Sequence, residues 1–105
     1  MFYLIAILTP CSGALESFRR YERKAARIMA RHGGAIERTF VEDGTNSAQP
    51  GREVHIVSFP DSAAFQRYRS DPDLLALAEE RTASIAHTEV IIGREGPNYM
   101  APPKY

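Results

Sequence analysis

Residues 2–8 read Phe-Tyr-Leu-Ile-Ala-Ile-Leu, a strand-length run that is apolar on both of its faces. A β-strand points successive side chains to opposite sides of its sheet, so this one needs cover above and below. The rest of the chain carries helix enough for one side only. A second copy of the chain is therefore the expected source of the missing layer.

Thr9-Pro10-Cys11-Ser12-Gly13 breaks the run, with Ser12 the expected N-cap of the helix that follows. Leu15, Phe18, Tyr21, Ala25, Ile28, Met29 and His32 fall at helical spacing and predict a helix over 14–32 with one buried stripe. Gly33-Gly34 ends it, since glycine takes the left-handed conformation at a helix C-terminus. Residues 35–41 predict a second strand, 43–51 a loop of turn formers, and 53–59 a third strand that stops at Pro60. Asp61 or Ser62 caps a short helix carrying Phe65 and Tyr68, and Asp71-Pro72 interrupts and restarts it. Leu74, Leu75, Leu77 and Ala78 form the expected core face of that restart, and the last strand is placed at Thr88–Ile92.

The order β-α-β-β-α-β predicts an α+β, ferredoxin-like fold. It is a four-stranded antiparallel sheet with two helices on one face, dimerising into an α/β barrel. Residues 1–93 make the domain and 94–105 an extended C-terminal tail. Strand parity sets Val54 and Ile56 on one side of the third strand and His55, Val57 and Phe59 on the other. In the last strand Val90 and Ile92 oppose Ile91. Each strand thus leaves a large side chain for the helix-free face, more contiguous apolar surface than a monomer usually exposes. At ~25 cal/mol per Å², a patch of ~500 Å² per subunit is worth roughly 12 kcal/mol before the costs of association.

Lys and Arg number 13 and Asp and Glu 13, so no net field favours nucleic acid or an acidic membrane surface. The basic residues Arg19, Arg20, Arg23, Lys24, Arg27 and Arg31 spread around the first helix and read as a solvated face. One cysteine, Cys11, excludes an internal disulfide and fits a reducing compartment. The apolar start has no basic residues before it and no small-x-small cleavage pattern after it. A cytoplasmic location is expected.

Two segments carry a family resemblance. Arg31-His32-Gly33-Gly34 resembles the R-Y-G-G element closing the first helix in a family of short bacterial domains of unknown function. The segment from Phe59-Pro60-Asp61 to Ser70-Asp71-Pro72 resembles that family's F-P-s-x-e-A-A-x-x-W/F-Y-x-S-P pattern, and Arg81 sits where the family usually carries arginine. The resemblance spans about residues 3–93. It implies membership of the dimeric α/β-barrel superfamily, whose paired sheets close around a cavity. That superfamily also holds cofactor-free antibiotic-biosynthesis monooxygenases and haem-degrading monooxygenases. The haem-degrading branch uses a strand-one asparagine, a tryptophan and a helical histidine; here stand Ala6 and Ile7, no tryptophan, and Tyr68. No cofactor is expected.

His55 is the leading candidate for chemistry, as a general base or as an anchor for a polar ligand group. The resemblance implies that its face lines the barrel; the plainer reading is a histidine hydrogen-bonded within the interface. Glu37 and Thr39 lie near His55 if the hairpin across 42–52 pairs symmetrically, and otherwise face solvent on an edge strand. Tyr68 and Arg81 form either a polar pair at the cavity mouth or a brace between helix and sheet. His32 and His87 lack partners at metal-ligand spacing, so no metal is expected. No phosphate loop or nucleophile elbow occurs. The expected protein is a homodimer binding a small apolar molecule in the barrel cavity. A cofactor-free monooxygenase-like enzyme and a non-catalytic structural or interaction dimer stand as alternatives.

Overall fold

In the computed structural model, which describes residues 1–103, the apolar run becomes β1 (Phe2–Pro10) at the centre of a four-stranded sheet. The remaining elements are α1 (Leu15–Arg31), β2 (Ala35–Val41), β3 (Glu53–Phe59), α2 (Ser62–Arg69), α3 (Pro72–Leu75), α4 (Ala78–Ser84) and β4 (Ile85–Gly93). The sheet is antiparallel with order β2-β3-β1-β4, the ferredoxin-like arrangement. β4 starts at Ile85, earlier than the periodicity suggests, because α4 runs into it without a loop. Residues 94–103 form no helix or strand and are exposed; residues 104–105 of the expected tail lie outside the described residues.

Register fixes what each face carries. Leu4 pairs between Val57 and Ile92, Ala6 between His55 and Val90, and Leu8 between Glu53 and Thr88. This face lies under the helices. Leu4, Val57 and Phe59 pack against Met29, Ala64 and Phe65, and Leu8 joins Leu15, Phe18, Tyr21, Ala25 and Ile85. On the opposite face Ile5 pairs between Ile56 and Ile91, and Ile7 between Val54 and Glu89. No helix covers that side.

The buried stripe of α1 matches the sequence pattern except at its ends. Ser12 is not the N-cap. Ala14 holds that position without a side-chain hydrogen bond, while the Ser12 hydroxyl donates to the Ala48 carbonyl at 2.8 Å. The Gly13 amide likewise donates to Ser47, so the long 42–52 loop folds back and claims the groups that a cap would use. His32 is the C-cap rather than a member of the stripe, and its Nε2 lies 2.7 Å from Asp71 Oδ2. Gly33 follows at φ 74°, the left-handed turn expected there.

Asp61 caps α2 through the Ala64 amide and Asp71 caps α3 through the Asp73 amide, with Pro72 in its first turn. His32 holds the Asp71 carboxyl below its ordinary pKa, the Asp73 amide adding to the effect. Arg31 pairs with Asp73 one turn away. The expected core face of the restarted helix is only partly realised. Leu74 and Leu77 pack against the core, but Leu75 is 60% exposed and Ala78 is also exposed. α3 is a single turn that packs mainly on α1 and α2. Among the described residues no helix is long and apolar enough to cross a membrane.

Gly34 lies at a close approach between Met29 of α1 and Phe59 of β3. A Cβ there would lie 2.5 Å from Met29 Cγ and 2.5 Å from Phe59 Cε1, whereas one at Gly93 meets nothing within 4 Å. Gly34→Ala is expected to lower stability by about 1–3 kcal/mol through overpacking, with Gly93→Ala near neutral. Equilibrium urea unfolding of both variants checks the contrast, and equal midpoints would refute it.

Candidate functional site

The two core clusters meet at Ala6, which contributes to both and has too small a side chain to fill the space above it. That space is a cavity of about 560 Å³ between sheet and helices. Leu4, Ala6 and Val57 form its floor, and Val90 and Ile92, 51% and 60% exposed, mark its open side along β4. Into this largely apolar enclosure project Glu22, His55, Tyr68, Arg81 and Thr88.

His55 is 4% exposed and lies beneath α1, on the helix side of β3 with Val57 and Phe59. This corrects the expectation that its face lines a barrel between sheets. The face turned away from the helices carries Val54 and Ile56 instead, because α1 and α2 pack over Val57 and Phe59. Parity correctly groups the side chains of a strand, but it does not say which group the helices cover.

Two carboxylates flank the imidazole. Glu53, two residues back on the same side of β3, places Oε2 2.7 Å from His55 Nε2. Glu22, from α1, places Oε2 3.7 Å from Nδ1. With Glu53 accepting a hydrogen bond from Nε2–H, Nδ1 is the ring nitrogen that faces Glu22. Glu22 makes no hydrogen bond among the described residues. Burial pushes its carboxyl above its ordinary value; His55 and Arg81 pull it down, while Glu53 adds to the rise.

The other sequence candidates separate. Tyr68 and Arg81 do line the same cavity as His55. Burial raises the Tyr68 hydroxyl well above its ordinary pKa, so at neutral pH it is a hydrogen-bond donor and not a base. Arg81 donates from Nη2 to Thr88 Oγ1 at 2.8 Å, sits 6.0 Å over the Tyr21 ring, and pairs with no carboxylate among the described residues. Thr39 is the ladder partner of His55, as symmetric pairing predicts, but it is exposed. Glu37 is not near His55. A register shift between Ile36 and Arg38 makes it the extra residue of a bulge, and it accepts a hydrogen bond from Ser58 Oγ at 2.8 Å. Ser58 belongs to the opposite face of the sheet.

A shallower cleft of about 380 Å³ lies on the β2 side, lined in part by Arg19, Arg23, Thr39 and Glu53. Glu22 and His55 border both spaces and so form the partition between them. Among the described residues no set of three side chains is placed to hold a metal ion. Glu22 and Glu53 lie on opposite ring nitrogens of His55 and do not converge. Sequence reasoning missed both carboxylates, although each left a signal. Glu53 is two residues from His55, and Glu22 falls four after Phe18 and three before Ala25, on the border of the buried stripe.

Residues 2–94 match the model of a family described as Domain of unknown function (DUF1330). No curated protein matches the chain. Among solved structures, a protein from Agrobacterium tumefaciens superposes with TM-score 0.72 at 22% identity, covering 97% of this chain and 98% of that one. An uncharacterised NIPSNAP domain protein from Burkholderia xenovorans gives 0.72 at 16%, covering 98% and 100%. SnoaB, a cofactor-independent oxygenase from Streptomyces nogalater, gives 0.71 at 19%, covering 93% and 95%. At these identities the likeness establishes the fold.

The Glu22 carboxyl supplies a pH test. Its folded pKa lies above the ordinary 4.5, so its contribution to stability is full below that value and is lost as pH rises through the folded one. Glu22→Gln removes this loss. Its melting temperature relative to wild type is expected to climb between pH 4 and pH 8, read by calorimetry across that range. A relative melting temperature that falls instead would show the carboxylate to be favourably paired in the folded protein.

Proposed function

The chain belongs to the DUF1330 family, and on that premise we propose that it is a homodimeric small-molecule-binding protein. Each subunit holds, beneath its helices, a small and largely apolar molecule with one anionic or oxygen-acceptor group. The observation that carries this reading is the cavity itself. Its volume of about 560 Å³ falls within the range of small-molecule sites, and its wall is apolar apart from a few convergent polar groups. A half-buried guanidinium with no carboxylate partner among the described residues, Arg81, supports an acceptor or anion at that end. The lone Cys11 supports a cytoplasmic setting.

The dimer reading rests on the helix-free face. Ile5, Ile56 and Ile91 form one continuous row across three strands, flanked by Ile7 and Val54. Ile56 and Ile91 are 38% and 55% exposed, and Phe40 on the edge strand is 72% exposed. Face-to-face packing of two identical sheets buries this row against itself in an isologous contact.

Two measurements test the two parts separately. Sedimentation at micromolar concentration is expected to give a dimer for the wild type and a monomer for Ile56→Glu; a monomeric wild type ends the assembly claim. The fluorescent dye 8-anilinonaphthalene-1-sulfonate, an apolar body with one anionic group, is expected to bind once per chain. Arg81→Leu should weaken it about tenfold by removing a charge-assisted hydrogen bond, worth ~1.4 kcal/mol. Ala6→Leu should weaken it as well, by filling the floor. Unchanged affinity in both variants would place the dye, and the proposed site, elsewhere.

A further inference from the structure

Glu22 is an unusual side chain for the wall of an apolar cavity. It is mostly buried, it has no hydrogen-bond donor among the described residues, and its Oε2 lies 3.7 Å from His55 Nδ1. A carboxyl in that setting loses stability for the fold and keeps its oxygen free for a ligand. It also borders the outer cleft together with His55, while Glu53 on the far ring nitrogen borders the outer cleft alone. The three side chains therefore run in a line, Glu22–His55–Glu53, from the cavity under the helices to the outer cleft.

We propose that Glu22 is a proton-transfer residue acting on a small apolar carbonyl compound with an acidic hydrogen on the adjacent carbon, and that His55 and Glu53 are positioning residues that exchange its proton with the outer cleft. This deepens the binding reading and rests on it. In the step, the ionised Glu22 takes the proton as the carbon–hydrogen bond breaks. That electron pair becomes the carbon–carbon double bond of an enolate, and the carbonyl π pair moves onto oxygen. Arg81, on the same cavity, supplies positive charge for that oxygen, and Tyr68 supplies a neutral donor. The proton returns to the same carbon or to a conjugated one. Nothing is oxidised or reduced, so no co-reactant is required. Burial, with Glu53 nearby, raises the basicity of Glu22, opposed by His55 and Arg81.

The probe is 2-tetralone in deuterium oxide, with loss of its C1 proton signal followed by nuclear magnetic resonance. Displacement of the naphthalene dye is measured in parallel. The wild type is expected to accelerate exchange over buffer, and Glu22→Gln to lose about a hundredfold or more of that acceleration while 2-tetralone still displaces the dye. Glu53→Gln should slow exchange without changing the displacement curve, a split that a merely structural role would not produce. Dye displacement without exchange by the wild type overturns the proposal and leaves the binding reading standing. Exchange by Glu22→Gln at the wild-type rate also overturns it. Failure of 2-tetralone to displace bound dye removes this substrate class, and failure of the dye to bind removes the binding reading with it.

Discussion

β1 carries apolar side chains on both of its faces, and the rest of the structure follows from that constraint. Its even-numbered side chains enter the space under the helices and its odd-numbered ones enter the bare face of the sheet. Because β1 is an inner strand, neither set can be turned to solvent by a local slip. A shift of one residue would exchange the faces and put Ile5 and Ile7 under α1. The register with β3 also sets the surroundings of His55, since Ala6 is the residue opposite it. A larger side chain at that point would close the cavity over the imidazole.

The polar end of the cavity shows the cost of keeping a site in a small core. Glu53 and His55 satisfy each other at short range, so their burial is largely offset by a charge-assisted hydrogen bond. Glu22 has no such compensation and is held in place by the packing of α1, through Phe18 and Ala25 on either side of it. The buried stripe thus positions a group that the hydrophobic effect alone would reject.

Much of this architecture is legible in the residues. Alternation and turn chemistry locate all four strands, the long helix and the Asp71-Pro72 restart, because each depends on local conformational preference and near neighbours. The features that escape depend on distant ones. Ser12 looks like a cap until the 42–52 loop returns to take its hydroxyl. Leu75 looks like core until the single turn of α3 is seen to send Leu74 inward and Leu75 to solvent. Glu37 looks close to His55 until one extra residue in β2 turns it to the other face. His55 is rightly singled out, but its side of the sheet is decided by helix packing. Glu22 reads as one more charged residue on a basic helix until the tertiary fold brings His55 beneath it.

The attachments of α3 carry a consequence for what the protein can accommodate. One end is pinned to α1 by His32–Asp71 and Arg31–Asp73, and beyond it α4 is tied down by Arg81–Thr88. Between these abutments the span is a single helical turn resting on Leu74 and Leu77. A bridge fixed at both ends takes up load in its middle. A guest in the proposed site would press first on that one turn, while the floor laid down by the sheet would keep its geometry.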